Sequence, residues 1–128
     1  MSEKLLVKEA KRRAEVFKNL NQYLKILIET VREMDRKAET YLFGSVAEGK
    51  YLLSSDIDIL VVTDLPPGEI LSKLWLKGIK DPFEIHIVGR NMLEIYKRRA
   101  KLLKVENLLK EQANKVIGSA QREKGGSK

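Results

Sequence analysis

The sequence predicts an α/β domain in which a small sheet is covered by helices. Apolar residues recur at three-and-four spacing toward both ends of the chain, the signature of helices with one buried stripe. Between them lie three short segments rich in β-branched and aromatic residues, separated by Gly, Pro and Ser. The 128 residues suit a single domain, and 43 % hydrophobic residues are enough for a packed interior.

Taken in order, Leu6, Ala10, Ala14, Phe17, Leu20, Leu24, Leu27, Ile28, Val31 and Met34 form one stripe, so residues 3–35 read as helix, with a break at Asn19–Asn21 where Asn favours a cap. Residues 38–43 carry Thr40, Tyr41 and Phe43 and form a first strand that stops at Gly44. Residues 55–63 start by alternating, with Asp56 and Asp58 on one face and Ile57 and Ile59 on the other. They then turn wholly apolar through Leu60, Val61 and Val62, which reads as a central strand with one polar end. After Pro66, Pro67 and Gly68, a short helix carries Ile70, Leu71, Leu74 and Trp75, with Trp75 read as core, and Gly78 ends it. Residues 83–88 alternate again, placing Glu84 and His86 on one face of a third strand. Asn91 with Glu94 starts a final helical region, striped by Leu93, Tyr96, Ala100 and Leu103 and continuing, either unbroken or after a break, to about Ile117.

Composition excludes several function classes. The chain has no Cys, which removes disulfide scaffolds, thiolate metal sites and cysteine nucleophiles. No apolar run reaches the roughly 18–20 residues that span a bilayer, so the expectation is a cytoplasmic protein with no membrane partner. From Arg90 to Lys128, eleven Lys or Arg face four acids, whereas residues 1–89 balance. That basic end favours an anionic partner. It supports nucleic acid on charge alone, because no aromatic residues interleave with the basic ones.

Between the first two strands lie the eleven residues 44–54, long for a hairpin and short for a helical crossover. They begin Gly44-Ser45 and are followed by Asp56-Ile57-Asp58. Residues i and i+2 of a strand point the same way, about 6.5 Å apart, so the two carboxylates converge on one point. Like charges that close call for a cation between them, and oxygen ligands suit magnesium. Glu84 faces the same side if its strand is the neighbour, and three carboxylates can hold two ions. A lone D-x-D is more often a solvated strand end, but here Ile57, Ile59 and the apolar run behind them anchor the acids to the core. A Gly-Ser turn exposes backbone N–H groups and a hydroxyl suited to phosphate, and Lys50 is a further phosphate candidate. Gly44 to Tyr51 nearly spells G-x-x-x-x-G-K-[ST]. Tyr51 lacks the required hydroxyl chemistry, and only Leu52 to Ser54 precede the next strand, so a P-loop is excluded.

Gly44-Ser45, ten residues, Asp56-Ile57-Asp58 and a later strand acid at Glu84 together resemble the nucleotidyltransferases of the DNA polymerase beta superfamily, in size most like the minimal prokaryotic ones. The resemblance covers residues 38–90. It implies a small mixed sheet, which the apolar stripes flank with a long N-terminal and a C-terminal helix; length and composition suggest a single domain over residues 1–118 with a flexible basic tail at 119–128. The resemblance further implies that Asp56, Asp58 and Glu84 bind two Mg2+ ions, for which Mn2+ substitutes, and form the catalytic set. Gly44 and Ser45 would contact an NTP, ATP by preference; Lys50 is a secondary candidate outside the resemblance, and a surface lysine is the plainer reading of it. The implied reaction is transfer of AMP to a hydroxyl acceptor with release of pyrophosphate. The acceptor would be a HEPN-type toxin partner, since some minimal nucleotidyltransferases resemble antitoxins, and a homo-oligomer is the other protein contact expected. The sequence departs from the pattern at Val46, Ala47 and Glu48, where many relatives have an arginine, and in using Glu rather than Asp at 84. The alternative reading is therefore a nucleotide- or partner-binding module of the same fold, without turnover.

Overall fold

The computed structural model describes residues 3–52 and 54–111. Two helices open the chain, α1 (Glu3–Lys18) and α2 (Leu20–Met34). They break at Asn19, whose Nδ2 donates to the Glu15 carbonyl at 3.0 Å, while its own carbonyl accepts from Gln22 and Tyr23 to start α2. The stripe divides unequally between them. α2 buries Leu24, Leu27, Ile28 and Val31, whereas α1 buries only Val16 and leaves Leu6 and Val7 exposed.

The sheet contains β1 (Glu39–Phe43), β2 (Ile57–Val62), β3 (Phe83–Val88) and a two-residue β4 (Leu103–Lys104), in the order β3-β2-β1-β4. β2 runs parallel to β3 and antiparallel to β1, and β4 pairs antiparallel with β1, so the sheet is mixed as expected. The connection from β1 to β2 contains a four-residue helix, α3 (Gly44–Ala47), where a loop is expected. α4 (Pro67–Leu76) starts with Pro67 inside its first turn and ends at Gly78, φ +88°, where the Ile79 N–H closes back on the Leu74 carbonyl. α4 buries Ile70 and Leu74, four apart. Trp75 is the neighbouring position, rotated about 100° off that line. It is 59 % exposed with Lys80 Nζ 5.0 Å from its ring centroid, so it is not core.

The final helical region is broken, one of the two expected forms, and the break holds a strand that was not expected. A 3-10 turn (Arg90–Met92) leads into α5 (Leu93–Arg99), which stops at Ala100 in extended conformation. Leu103 and Lys104 then form β4 opposite Leu42 and Tyr41, and residues 105–111 are helical again (α6). The expected continuation to Ile117 and the tail at 119–128 lie outside the described residues. Among the described residues, no helix is long and apolar enough to cross a membrane.

Two cores sandwich the sheet. On one face Leu42, Ile57, Ile59 and Val61 pack against α1, α2 and α4. On the other, Tyr41, Leu60 and Val62 pack with Phe43, Val88 and, from α5, Leu93 and Tyr96. Every apolar side chain of β2 is buried to zero exposure, and each contributes about 1.5–3 kcal/mol relative to an exposed one. β2 is therefore a rigid support for the side chain of Asp58.

Candidate active site

The site lies where β1 ends and the parallel strands β2 and β3 begin, on the face shared with α5. Asp58 pairs in register with Phe43 on one side and with Glu84 on the other. Two carboxylates thus face each other across neighbouring strands. Like charges opposed across a ladder cost roughly 0.2–1 kcal/mol, which burial of the β2 side chains outweighs.

The chain leaves β1 through Gly44, whose φ of +75° lies in the left-handed region. Its missing side chain is also a packing requirement, since a Cβ there would run into Asp58 Oδ2 and lie 3.1 Å from Asp58 Cγ. Gly44 is therefore the cradle in which the Asp58 carboxylate sits. Ser45 follows in α3, half-buried, and its carbonyl accepts from the Lys50 N–H at 3.0 Å. Lys50 itself is exposed.

Asp58, Glu84 and His86 each offer a ligand atom, and the three atoms lie within 4.8 Å of one another. His86 Nε2 is 3.7 Å from Asp58 Oδ1 and 3.6 Å from Glu84 Oε1. Both separations exceed hydrogen-bond length. The nitrogen is buried and makes no hydrogen bond in the protein. The imidazole is held edge-on to the Phe43 ring, with centroids 5.1 Å apart, and Tyr96 of α5 braces Phe43 at 6.1 Å.

Of the residues expected at the site, Asp58 and Glu84 are brought together under Gly44. Asp56 precedes the first residue of β2 and stands outside the three-residue cluster. It is exposed, with Oδ1 3.5 Å from an Arg13 nitrogen, and Arg13 also donates to the Ser55 carbonyl at 3.0 Å. Arg13 and His86 are not among the site residues that the sequence predicts. The signal for His86 was present, because it shares the period-two face of Glu84. Nothing in the sequence marks Arg13, which arrives from α1 more than forty residues away.

A family model described as a nucleotidyltransferase domain matches residues 24–120, well over half the chain. The chain belongs to the nucleotidyltransferase-domain family. A solved structure provisionally assigned as a nucleotidyltransferase is similar to this domain at 33 % identity and a TM-score of 0.53, covering 62 % of this chain and 94 % of that one. A second, from Sulfolobus solfataricus and assigned in the same provisional way, shares 25 % identity over 75 % of this chain and 85 % of its own, with a TM-score of 0.41. A search of curated proteins found no match. Nucleotidyltransferases typically use divalent metals, and the donors of this domain fit one. Two carboxylates and an imidazole nitrogen without a hydrogen bond converge on one point, beside a glycine that leaves room for them.

Proposed function

We propose that this nucleotidyltransferase domain moves AMP from ATP to a hydroxyl acceptor and releases pyrophosphate. One observation carries the reading: Asp58 and Glu84 oppose each other at the starts of β2 and β3, directly beside the glycine turn that ends β1. In the reaction the acceptor oxygen forms a bond to the α-phosphorus. The bond from that phosphorus to the α–β bridging oxygen breaks, and its electron pair leaves with pyrophosphate. Glu84, 55 % exposed and at the open end of β3, takes the acceptor proton. Asp56, Asp58 and Glu84 would hold two magnesium ions, for which manganese could substitute. Those ions supply the positive charge that a polyphosphate and its developing pyrophosphate need. The turn at Gly44 and Ser45, with Lys50 at the end of the following loop, receives the triphosphate. Arg13 keeps Asp56 near the start of β2 through the Ser55 carbonyl.

For the acceptor, the resemblance to minimal nucleotidyltransferases supports a protein hydroxyl on a HEPN-type partner, with the domain as the antitoxin. A binding module without turnover is the second reading. Val46, Ala47 and Glu48 favour it, because they leave the three positions after Ser45 without a positive charge.

The test is incubation of the full chain with magnesium, α-labelled ATP and the product of a neighbouring gene, followed by mass spectrometry of both proteins. One or more AMP increments on either chain are expected. ATP binding without any increment would leave only the binding module standing.

A further inference from the structure

His86 is the only histidine in the chain, and its surroundings are odd for a structural one. A buried ring nitrogen ordinarily finds a hydrogen-bond partner, because leaving it bare costs the desolvation of a polar atom. Here Nε2 is buried and bare. It is nonetheless aimed at two carboxylate oxygens, one 3.6 Å and one 3.7 Å away. Those separations are too long for hydrogen bonds but suit ligands of one ion. Two donors each about 2.1 Å from one cation lie about 3.4 Å apart at a tetrahedral angle and about 3.0 Å apart at an octahedral one, so a shift of a few tenths of an ångström brings these atoms onto a shared ion. One edge of the ring packs against Phe43, and Tyr96 packs on Phe43 in turn.

We infer that His86 Nε2 is a direct ligand, with Asp58 and Glu84, of one of the divalent ions in this site, and that it raises the affinity of the site for first-row transition ions above that of an all-oxygen site while adding little for magnesium. The inference rests on the reading that the site holds a divalent cation, and it adds the ligand and the selectivity. Magnesium favours all-oxygen surroundings and gives up its waters reluctantly, whereas imidazole nitrogen suits manganese, cobalt and zinc progressively better. Two carboxylates and a neutral imidazole carry a charge of −2, which balances one such ion. A second ion that arrives with the nucleotide contacts phosphate oxygens and is free to be magnesium.

The test uses the untagged full chain, so that no other imidazole is present. Titration calorimetry with Mn2+, Co2+ and Mg2+ is run on the wild type and on His86→Gln. Pulsed EPR of the Mn2+-loaded wild type reads nitrogen coupling to the metal. Mn2+ and Co2+ affinity is expected to fall about tenfold or more in His86→Gln, with Mg2+ affinity changed less than about threefold. The wild type should show nitrogen modulation, and the variant should not. Equal weakening of all three ions, or no weakening, would overturn the inference and leave the oxygen-ligated site standing. If the wild type takes up no divalent ion, with or without ATP, both the inference and the metal reading beneath it fail. Should the variant not fold, the EPR of the wild type decides alone: with a single histidine in the chain, absence of nitrogen coupling overturns the ligand assignment.

Discussion

Gly44 and Asp58 fit against each other so closely that the glycine has no space for a side chain: a Cβ would lie 3.3 Å from Asp58 Cβ, 3.1 Å from Cγ and within overlap of Oδ2. The same residue holds φ at +75°, which a β-carbon disfavours independently. Gly44→Ala therefore loses twice. It should cost about 1–3 kcal/mol in thermal or denaturant unfolding and push the Asp58 carboxylate out of register with Glu84. Divalent-ion affinity should fall together with stability, a pairing that calorimetry and a melting curve check on the same sample.

Asp58→Asn separates function from fold. Asp58 and Glu84 repel across the β2–β3 ladder, so removing one charge should leave the melting temperature of the metal-free protein unchanged or raise it, by at most the equivalent of about 1 kcal/mol. Metal uptake should be lost. A large drop in stability would mean that the carboxylate is structural.

At the other end of β2, Thr63 Oγ1 donates to Asp35 Oδ2 at 2.7 Å, and the Lys37 N–H donates to Oδ1 at 3.0 Å. The Thr63 hydroxyl, then the Lys37 amide, hold the Asp35 carboxyl below the usual aspartate range, with Arg90 adding a smaller pull. A depressed folded-state value contributes stability above the unfolded-state value, and the contribution is lost as pH falls through the folded one. Thr63→Val should reduce stability at neutral pH and make the acid limb of the stability curve shallower. Urea midpoints across the acid range read this directly.

Tyr41 behaves in the opposite sense. Burial, then its hydrogen bond to Glu39 at 2.9 Å, pushes the phenol up from 10.0 to about 12. The folded protein resists ionising it, so stability present below pH 10.0 is lost as pH rises toward 12. Tyr41→Phe has no such phenol and should show a flatter alkaline limb in chemical unfolding between those values.

Much of this arrangement is legible in the sequence because β2 and β3 alternate where they begin. Ile57, Ile59 and Val61 point to one core, and Asp58 and Glu84 share the opposite face. What was missed follows from length and register. α3 and β4 span four and two residues, too few for a period to show, and Leu103 also continues the apolar stripe of α5. Asp56 stands one residue before β2, and its partner Arg13 comes from a distant helix that no local pattern announces. His86 fell on the predicted face. Its importance depends on the packing of Phe43 and Tyr96 beside the ring, which only the tertiary structure reveals.

The most direct measurement is titration calorimetry of ATP into the full chain, with and without divalent ion, in the wild type and in Asp58→Asn. The acidic cluster at the starts of β2 and β3 predicts ATP binding that requires the ion and disappears in the variant. ATP bound equally well without the ion, or equally well by Asp58→Asn, would contradict it.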